Sequence, residues 1–213
     1  GPDIALPGTL VDSCICADNR AVAAVWSQGR KGHLCVWDVA TAQGRFEPIA
    51  LPGLPFSVSP RPRSGQLAVL CSTGDLLVID DRTGKRVLEL RHEGWSPTVP
   101  SGRNARVQYA PDGKTLVSLG GAVPHVVNVR DADSGQLRFP PLGASVAGSN
   151  LQSFVLSTDS RLLATMAWIG FAIFAVIIVG FAIGPRSEAQ ARSIGDFAAR
   201  AITRLLAIIR RGP

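Results

Sequence analysis

The residues of this chain that could carry chemistry are four cysteines, three histidines and a set of recurring aspartates. The cysteines are Cys14, Cys16, Cys35 and Cys71, and the histidines are His33, His92 and His125. None of them forms the closely spaced His/His or Cys/His sets that hold zinc. Nucleophile-elbow, P-loop and dinucleotide-binding fingerprints do not occur in the sequence. The sequence therefore predicts no catalytic residue, no metal site and no cofactor.

The cysteines all fall in short apolar runs that are typical of strands. Cys14 and Cys16 are two residues apart, a spacing that places both thiols on the same face of a strand. Free cysteine is among the residue types most often buried in proteins. We therefore interpret the four thiols as small core residues rather than as ligands or nucleophiles.

Aspartates recur at the end of apolar runs, directly before turns. They are Asp38, Asp80 and Asp131, and the glycines that follow them are Gly44, Gly84 and Gly135. Aspartate accepts hydrogen bonds from nearby backbone amides in tight turns, and glycine tolerates positive φ there. A carboxylate that returns once in every copy of a repeat favours turn capping over catalysis.

A self-comparison of the 213 residues reveals four related segments, each a turn followed by an apolar strand. They cover residues 17–26, 63–72, 111–120 and 158–167. Aligning Arg20, Gln66, Lys114 and Arg161 gives spacings of 46, 48 and 47 residues. Runs of five or six apolar residues between turn formers are too short for helices and predict strands. Each copy reads as a four-stranded antiparallel unit that must stack on its neighbours to bury its faces.

Three motifs resemble the WD40-repeat family of β-propellers over residues 10–167. Trp37-Asp38 resembles its repeat-ending Trp-Asp, Asp112-Gly113 its Pro-Asp-Gly-Lys turn, and His92 its Gly-His region. The resemblance implies a mainly β fold, a partial propeller of about three and a half blades, with His92 stabilising a blade. The blades would span residues 10–53, 54–95, 96–145 and, in part, 146–167, after an N-terminal extension over residues 1–9.

An apolar run occupies the place where the fourth copy should continue. Residues 168–184 contain no charged side chain, and their length approaches the roughly 20 residues that cross hydrocarbon. The run predicts a transmembrane helix, although its β-branched residues would also suit a buried strand. Its predicted anchor residues are Trp168, Ile169, Phe171, Phe174, Ile177, Ile178 and Phe181.

The tail over residues 185–213 predicts a basic amphipathic helix. Its apolar residues recur at helical spacing, and it holds much of the chain's net charge of +6. A basic helix beside an apolar run favours an anionic membrane surface over nucleic acid. Arginine excess on this side predicts a single-pass membrane protein with a cytoplasmic tail.

These features together predict a non-enzymatic, membrane-anchored scaffold that binds protein partners. Two alternatives remain open at this point: a fragment of a larger membrane signalling protein, such as a Ser/Thr kinase with a repeat sensor, and a propeller-type redox enzyme. Three and a half blades would leave sheet faces open. The sequence therefore also predicts a homo-oligomer, or completion of the propeller by further sequence.

Overall fold

The computed structural model describes residues 3–96, 104–121, 125–143, 149–160, 163–169 and 173–177. Fifteen strands and no helix form the secondary structure of these ranges. The predicted mainly β fold of four-stranded antiparallel sheets is thereby confirmed. The chain divides into two compact units, Gly1–Gly143 and Ala144–Pro213.

The first unit contains three antiparallel sheets, each made of four strands that are consecutive along the chain. Sheet 1 comprises β1 (Thr9–Ile15), β2 (Ala21–Gln28), β3 (Lys31–Asp38) and β4 (Ile49–Leu51). Sheet 2 comprises β5 (Pro55–Pro60), β6 (Gln66–Cys71), β7 (Asp75–Asp80) and β8 (Arg86–Arg91). Sheet 3 comprises β9 (Arg106–Tyr109), β10 (Thr115–Gly120), β11 (Val126–Asp131) and β12 (Leu142–Gly143).

The central strands of these sheets are buried on both faces, which explains their continuous apolar runs. One core lies between sheets 1 and 2, where Ala23 and Leu34 pack against Val69 and Ile79. A second core joins sheets 2 and 3, with Leu70 and Leu76 among its members. Alternate residues of β6 and β7 thus serve different cores, and sheet 2 is stacked between its two neighbours.

The first strand of every sheet is an edge strand, and in sheets 2 and 3 side chains of the preceding sheet cap its free amides. Asp12 Oδ2 of β1 accepts a 2.9 Å hydrogen bond from Val58 N of β5. Ser57 Oγ of β5 accepts one of 2.8 Å from Val107 N of β9. Ser59 Oγ accepts another of 3.0 Å from Tyr109 N. Acceptors on one edge strand therefore satisfy amides on the next, which would otherwise be buried without partners.

Arg61, directly after β5, is a second link between sheets 2 and 3. Its guanidinium donates to the Gly113 carbonyl over 2.8 Å, to Gln66 Oε1 over 2.9 Å and to the Ala132 carbonyl over 3.5 Å. It also pairs with Asp133, and its side chain is 13% exposed. Three donating nitrogens thus join the turns of two sheets.

Backbone hydrogen bonds correct the alignment of the repeats by one residue in the second copy. Val39 N donates to the Arg20 carbonyl, and Ala132 N donates to that of Lys114. The corresponding bond in sheet 2 runs from Asp81 N to Gly65 rather than to Gln66. The predicted equivalence of Gln66 with Arg20 and Lys114 is therefore wrong, because Gln66 is the first residue of β6, whereas Arg20 and Lys114 are the last residues of turns of the same length.

The second unit holds one three-stranded antiparallel sheet, sheet 4. It comprises β13 (Ser149–Leu156), β14 (Leu163–Ile169) and β15 (Ile173–Ile177). A turn in which Ser160 N donates to the Ser157 carbonyl joins β13 and β14. Sheet 4 repeats the strand order of sheets 1 to 3 as far as its third strand.

The structure differs here from the helix predicted over residues 168–184. Trp168 and Ile169 end β14, and Phe174 and Ile177 belong to β15, with Trp168 paired to Phe174. Isoleucine, valine and phenylalanine favour strands as well as membranes, and the repeat places the third strand of a sheet at this point. Of the remaining anchor residues, Phe171, Ile178 and Phe181 lie outside the described residues, as does the predicted tail helix.

No helix in the described part of the chain is long and apolar enough to cross a membrane.

Candidate functional site

The three recurrent aspartates each close a turn between the third and fourth strand of a sheet. Asp38 Oδ1 accepts from Ala40 N, Asp80 Oδ1 from Thr83 N, and Asp131 Oδ1 from Ser134 N. These bonds measure 3.0, 2.8 and 3.0 Å. Hydrogen bonds from Thr83 and Ser134 also lower the pKa of Asp80 and hold that of Asp131 at about 2. All three carboxylates cap backbone amides, and the lowered pKa keeps Asp80 and Asp131 ionised at pH 7.

The residue with positive φ in these turns lies four positions after the aspartate. It is Gly84 in sheet 2 and Gly135 in sheet 3, but Ala42 in sheet 1, with φ of 55°. Gly44, aligned by sequence with the two glycines, instead pairs with Trp37. The sequence alignment misses this because Gly44 lies two residues further along than the position that needs it.

Replacing Ala42 with glycine is expected to stabilise the protein by about 0.5–1 kcal/mol. A left-handed conformation costs a non-glycine residue roughly 1–2 kcal/mol, part of which the greater flexibility of glycine in the unfolded chain offsets. The reverse change, Gly84→Ala, should destabilise, since its Cβ would also lie 2.8 Å from the ring of Phe46. Denaturant unfolding gives the change in the free energy of unfolding for each variant. A change of the same sign and size in both variants would contradict the assignment.

His92 is the centre of a buried hydrogen-bond network between sheets 2 and 3. It is 1% exposed. The Asn128 amide nitrogen, which can only donate, lies 3.3 Å from Nε2, so the proton of the neutral ring lies on Nδ1, 2.8 Å from Ser118 Oγ. Trp95 meets the histidine ring edge-on and donates from Nε1 to the Ser72 carbonyl. Burial lowers the pKa of His92 to about 4, so the ring is neutral and structural at pH 7.

The other repeat motifs are also parts of the framework. Trp37 is half-buried on the face of sheet 1 that points away from sheet 2, 5.9 Å from the ring of Trp26. Asp112 Oδ1 accepts from Lys114 N in the turn between β9 and β10. Gly113, in the same turn, has φ of 70° and approaches the Pro62 carbonyl too closely for a side chain.

The cysteine thiols have no reactive environment. All four are free, and Cys16, Cys35 and Cys71 are buried. Burial raises the pKa of Cys14, Cys16 and Cys71 to about 12, so these thiols are protonated at pH 7. Within the described ranges, no group of three or more Cys, His, Asp or Glu side chains could hold a metal ion.

A small pocket opens where turns of sheets 1 and 2 meet, and motif reasoning did not find it. Its volume is about 200 Å³, and Asp18 and Asp81 line it together with Arg63, Gly65 and Arg82. The turn between β1 and β2 supplies Asp18, that between β5 and β6 supplies Arg63 and Gly65, and that between β7 and β8 supplies the other two. These residues come from three separate turns, and no local sequence motif joins them.

Asp81 is the unusual group of this pocket. It is 2% exposed, and its Oδ1 lies 3.5 Å from Arg45 Nη1 without a hydrogen-bond donor. Burial raises the pKa of Asp81, and the Arg45 guanidinium opposes that rise. Arg45 also donates to Asp18, whose pKa this bond lowers. The pocket therefore holds a recessed acceptor that a further donor could satisfy.

The rim of the pocket is basic. Arg63 and Arg82 are exposed, and neither forms one of the ion pairs seen in the described residues. Gly65 keeps the floor open, because a Cβ there would lie 3.2 Å from Asp81 Oδ1. The arrangement offers an acceptor at depth and two cations at the entrance. It is suited to binding a polar group.

A comparison of the chain with protein-family models finds no matching family, and a comparison with curated proteins finds no matching relative.

Proposed function

We propose that this chain is a non-enzymatic scaffold of consecutive propeller blades, similar to WD40 repeats, that binds protein partners. The pocket between the turns of sheets 1 and 2 carries the proposal. Sheets that pack across shared apolar cores and follow one another in chain order are compatible with propeller blades. Turns of successive blades then meet at one end and present side chains to a partner.

The size of the pocket favours one side chain over a cofactor. Pockets for small molecules usually enclose about 300–1,000 Å³. The volume here is about 200 Å³, which accommodates the end of a lysine, arginine or asparagine side chain. Such a group would donate to Asp81 Oδ1, which Arg45 Nη1 approaches to 3.5 Å without forming a hydrogen bond.

The rim indicates the neighbours of that side chain in the partner. Arg63 and Arg82 carry positive charge at the entrance, so acidic residues flanking the donor would pair with them. Charges at the rim mainly speed association and set specificity. The proposed ligand is therefore a segment of a protein in which a donor side chain stands between acidic residues.

Replacing both rim arginines, Arg63→Glu with Arg82→Glu, is expected to weaken partner binding at least about tenfold at low salt, because each reversal converts attraction into repulsion. The partner is captured by crosslinking the intact chain in its native extract and identified by mass spectrometry. Its affinity for the purified chain is then measured at two salt concentrations.

The matched control reverses two cations at the opposite end of sheet 1, Arg30→Glu with Lys31→Glu. These residues lie at the turn between β2 and β3 and are exposed. Equal losses for the two double variants would show a non-specific charge effect and contradict the pocket as the binding site.

We propose further that the chain associates with a bilayer. The support is compositional: residues 168–184 carry no charge, and arginines recur in residues 185–213. Because the described part of this run lies in strands, a surface attachment through the basic tail accounts for the composition better than a span over the whole run.

A further inference from the structure

One backbone pattern aligns the turns that precede the second strand of sheets 1, 2 and 3. In each turn, the residue three positions after the start donates to the carbonyl of the starting residue: Asn19 to Cys16, Ser64 to Arg61 and Gly113 to Ala110. Cys16, Arg61 and Ala110 are therefore equivalent positions of the three sheets. By the same counting, Ser64 of sheet 2 is equivalent to Gly113 of sheet 3.

The turns after the third strand of sheets 2 and 3 align in a similar way. Asp81 N and Ala132 N each donate to the residue just before the second strand of their own sheet. Asp81 is therefore equivalent to Ala132, and the next residue, Arg82, is equivalent to Asp133. These equivalences show which place between sheets 2 and 3 corresponds to the pocket between sheets 1 and 2.

The corresponding place between sheets 2 and 3 holds the Arg61 guanidinium. It donates from Nε to the Gly113 carbonyl over 2.8 Å and from Nη1 to the Ala132 carbonyl over 3.5 Å. It also pairs with the Asp133 carboxylate, and it lies over the Tyr109 ring, 5.9 Å from its centroid. The turns of sheet 3 thus present a set of acceptors to one guanidinium.

Between sheets 1 and 2 a shorter side chain stands where sheet 2 has that arginine. Cys16, the equivalent of Arg61, is 1% exposed, and burial together with the Asp81 charge raises the pKa of its thiol to about 12. The pocket of about 200 Å³ lies at this place. Three of its lining residues are Ser64, Asp81 and Arg82, the equivalents of Gly113, Ala132 and Asp133.

We infer that the pocket binds an arginine side chain of the partner, in the place that Arg61 takes between sheets 2 and 3. The inference rests on the proposed function, which supplies the partner. Ser64 has its backbone carbonyl at the position of the Gly113 carbonyl, and Asp81 adds a carboxylate that Ala132 does not have. A guanidinium carries five N–H donors in a fixed fork, so it can bond several of these acceptors together.

The charges of the pocket favour arginine over the lysine and asparagine that its volume also admits. Asp81 is 2% exposed, and a charged donor forms a stronger hydrogen bond with its carboxylate than a neutral amide does. Arg45, Arg63 and Arg82 already place positive charge around the site. They oppose a compact, strongly hydrated ammonium more than a delocalised, weakly hydrated guanidinium. Acidic neighbours of the arginine in the partner would pair with the two rim cations.

The pocket differs from the Arg61 site in one contact. Pro60 of sheet 2 stands at the position of Tyr109 in sheet 3, so no aromatic ring contributes to binding there. The affinity for a guanidinium should therefore depend mainly on Asp81. Gly65 leaves the approach to this carboxylate open, because a Cβ would lie 3.2 Å from its Oδ1.

The test measures the binding of three labelled peptides to the purified full chain by fluorescence anisotropy. Each peptide has the sequence Glu-Glu-Xaa-Glu-Glu between glycines, with arginine, lysine or citrulline at the centre. We expect the arginine peptide to bind at least about tenfold more tightly than the other two. Asp81→Asn should remove this preference. The matched control, Asp133→Asn, makes the same charge change at a carboxylate that is 78% exposed and should keep the preference.

A second variant, Cys16→Arg, tests the equivalence of the two sites within one chain. Its new guanidinium should occupy the pocket as Arg61 occupies the next site, and it should weaken binding of the arginine peptide at least about tenfold. Circular dichroism verifies that each variant is folded. If Cys16→Arg does not fold, the comparison of the three peptides decides alone.

Three results would overturn the inference: no binding of the arginine peptide, equal affinities for the arginine and lysine peptides, or equal effects of Asp81→Asn and Asp133→Asn. The proposed function is tested separately by the partner captured from the native extract. If Arg63→Glu with Arg82→Glu weakens that partner's binding while the peptides show no preference for arginine, the arginine is rejected and the proposed function stands.

Discussion

Acidification from pH 7 to pH 4 is expected to lower the free energy of unfolding by about 3 kcal/mol through His92 alone. Burial lowers the pKa of this ring to about 4 in the folded chain, from the ordinary value of 6.5 for histidine. Between these two values the unfolded chain binds the proton and the native chain does not, so stability falls as pH falls through this window. Above pH 6.5 the contribution is constant.

The measurement compares denaturant unfolding of the wild type and His92→Gln at several pH values. Glutamine can still bond Ser118 Oγ but does not titrate, so the difference between the two curves isolates His92 from the carboxylates, which both proteins share. We expect the variant to be less stable at pH 7 and the gap to narrow towards pH 4. Parallel curves would show that the ring titrates as it does in water.

Replacing Arg61 with alanine is expected to destabilise the protein by about 3 kcal/mol. The change removes the guanidinium that donates to three acceptors. These are the Gly113 carbonyl, the Ala132 carbonyl and the Gln66 side chain. Arg61→Lys should recover only part of the loss, because an ammonium cannot donate in the fork that joins the two sheets.

The matched control is Arg63→Ala, two residues along the same turn. Arg63 is exposed, so its removal should change stability by no more than about 0.5 kcal/mol. Chemical denaturation with two probes, tryptophan fluorescence and circular dichroism, gives the values. Equal losses for Arg61→Ala and Arg63→Ala would show that net charge, rather than the link between sheets 2 and 3, is responsible.

The strands and the turns were predictable because their causes are local. Asp80 caps a turn made by its own next three residues, and the apolar run of β7 lies next to it in the sequence. The slip at Gln66 arose because the turns before β2, β6 and β10 have equal length but different residues, so that the first residue of β6 was aligned with the last turn residue of the other copies. Only backbone hydrogen bonds reveal that shift.

The pocket and the links between sheets were not predictable, because their members lie far apart in the chain. Asp81 stands 36 residues after Arg45, and Val58 stands 46 residues after Asp12. Neither pair has a local motif. The run from Trp168 stayed ambiguous for a different reason, since the same side chains are favourable in a bilayer and in a strand.

Asp12 affects the tendency of the unbound chain to aggregate. Its Oδ2 binds sheet 2, and its Oδ1 accepts a 2.9 Å bond from Ser13 N on the edge of β1. An edge strand with free amides recruits strands from other chains into fibrous aggregates, and a charge beside those amides opposes this. Asp12 thus opposes aggregation of the chain along β1.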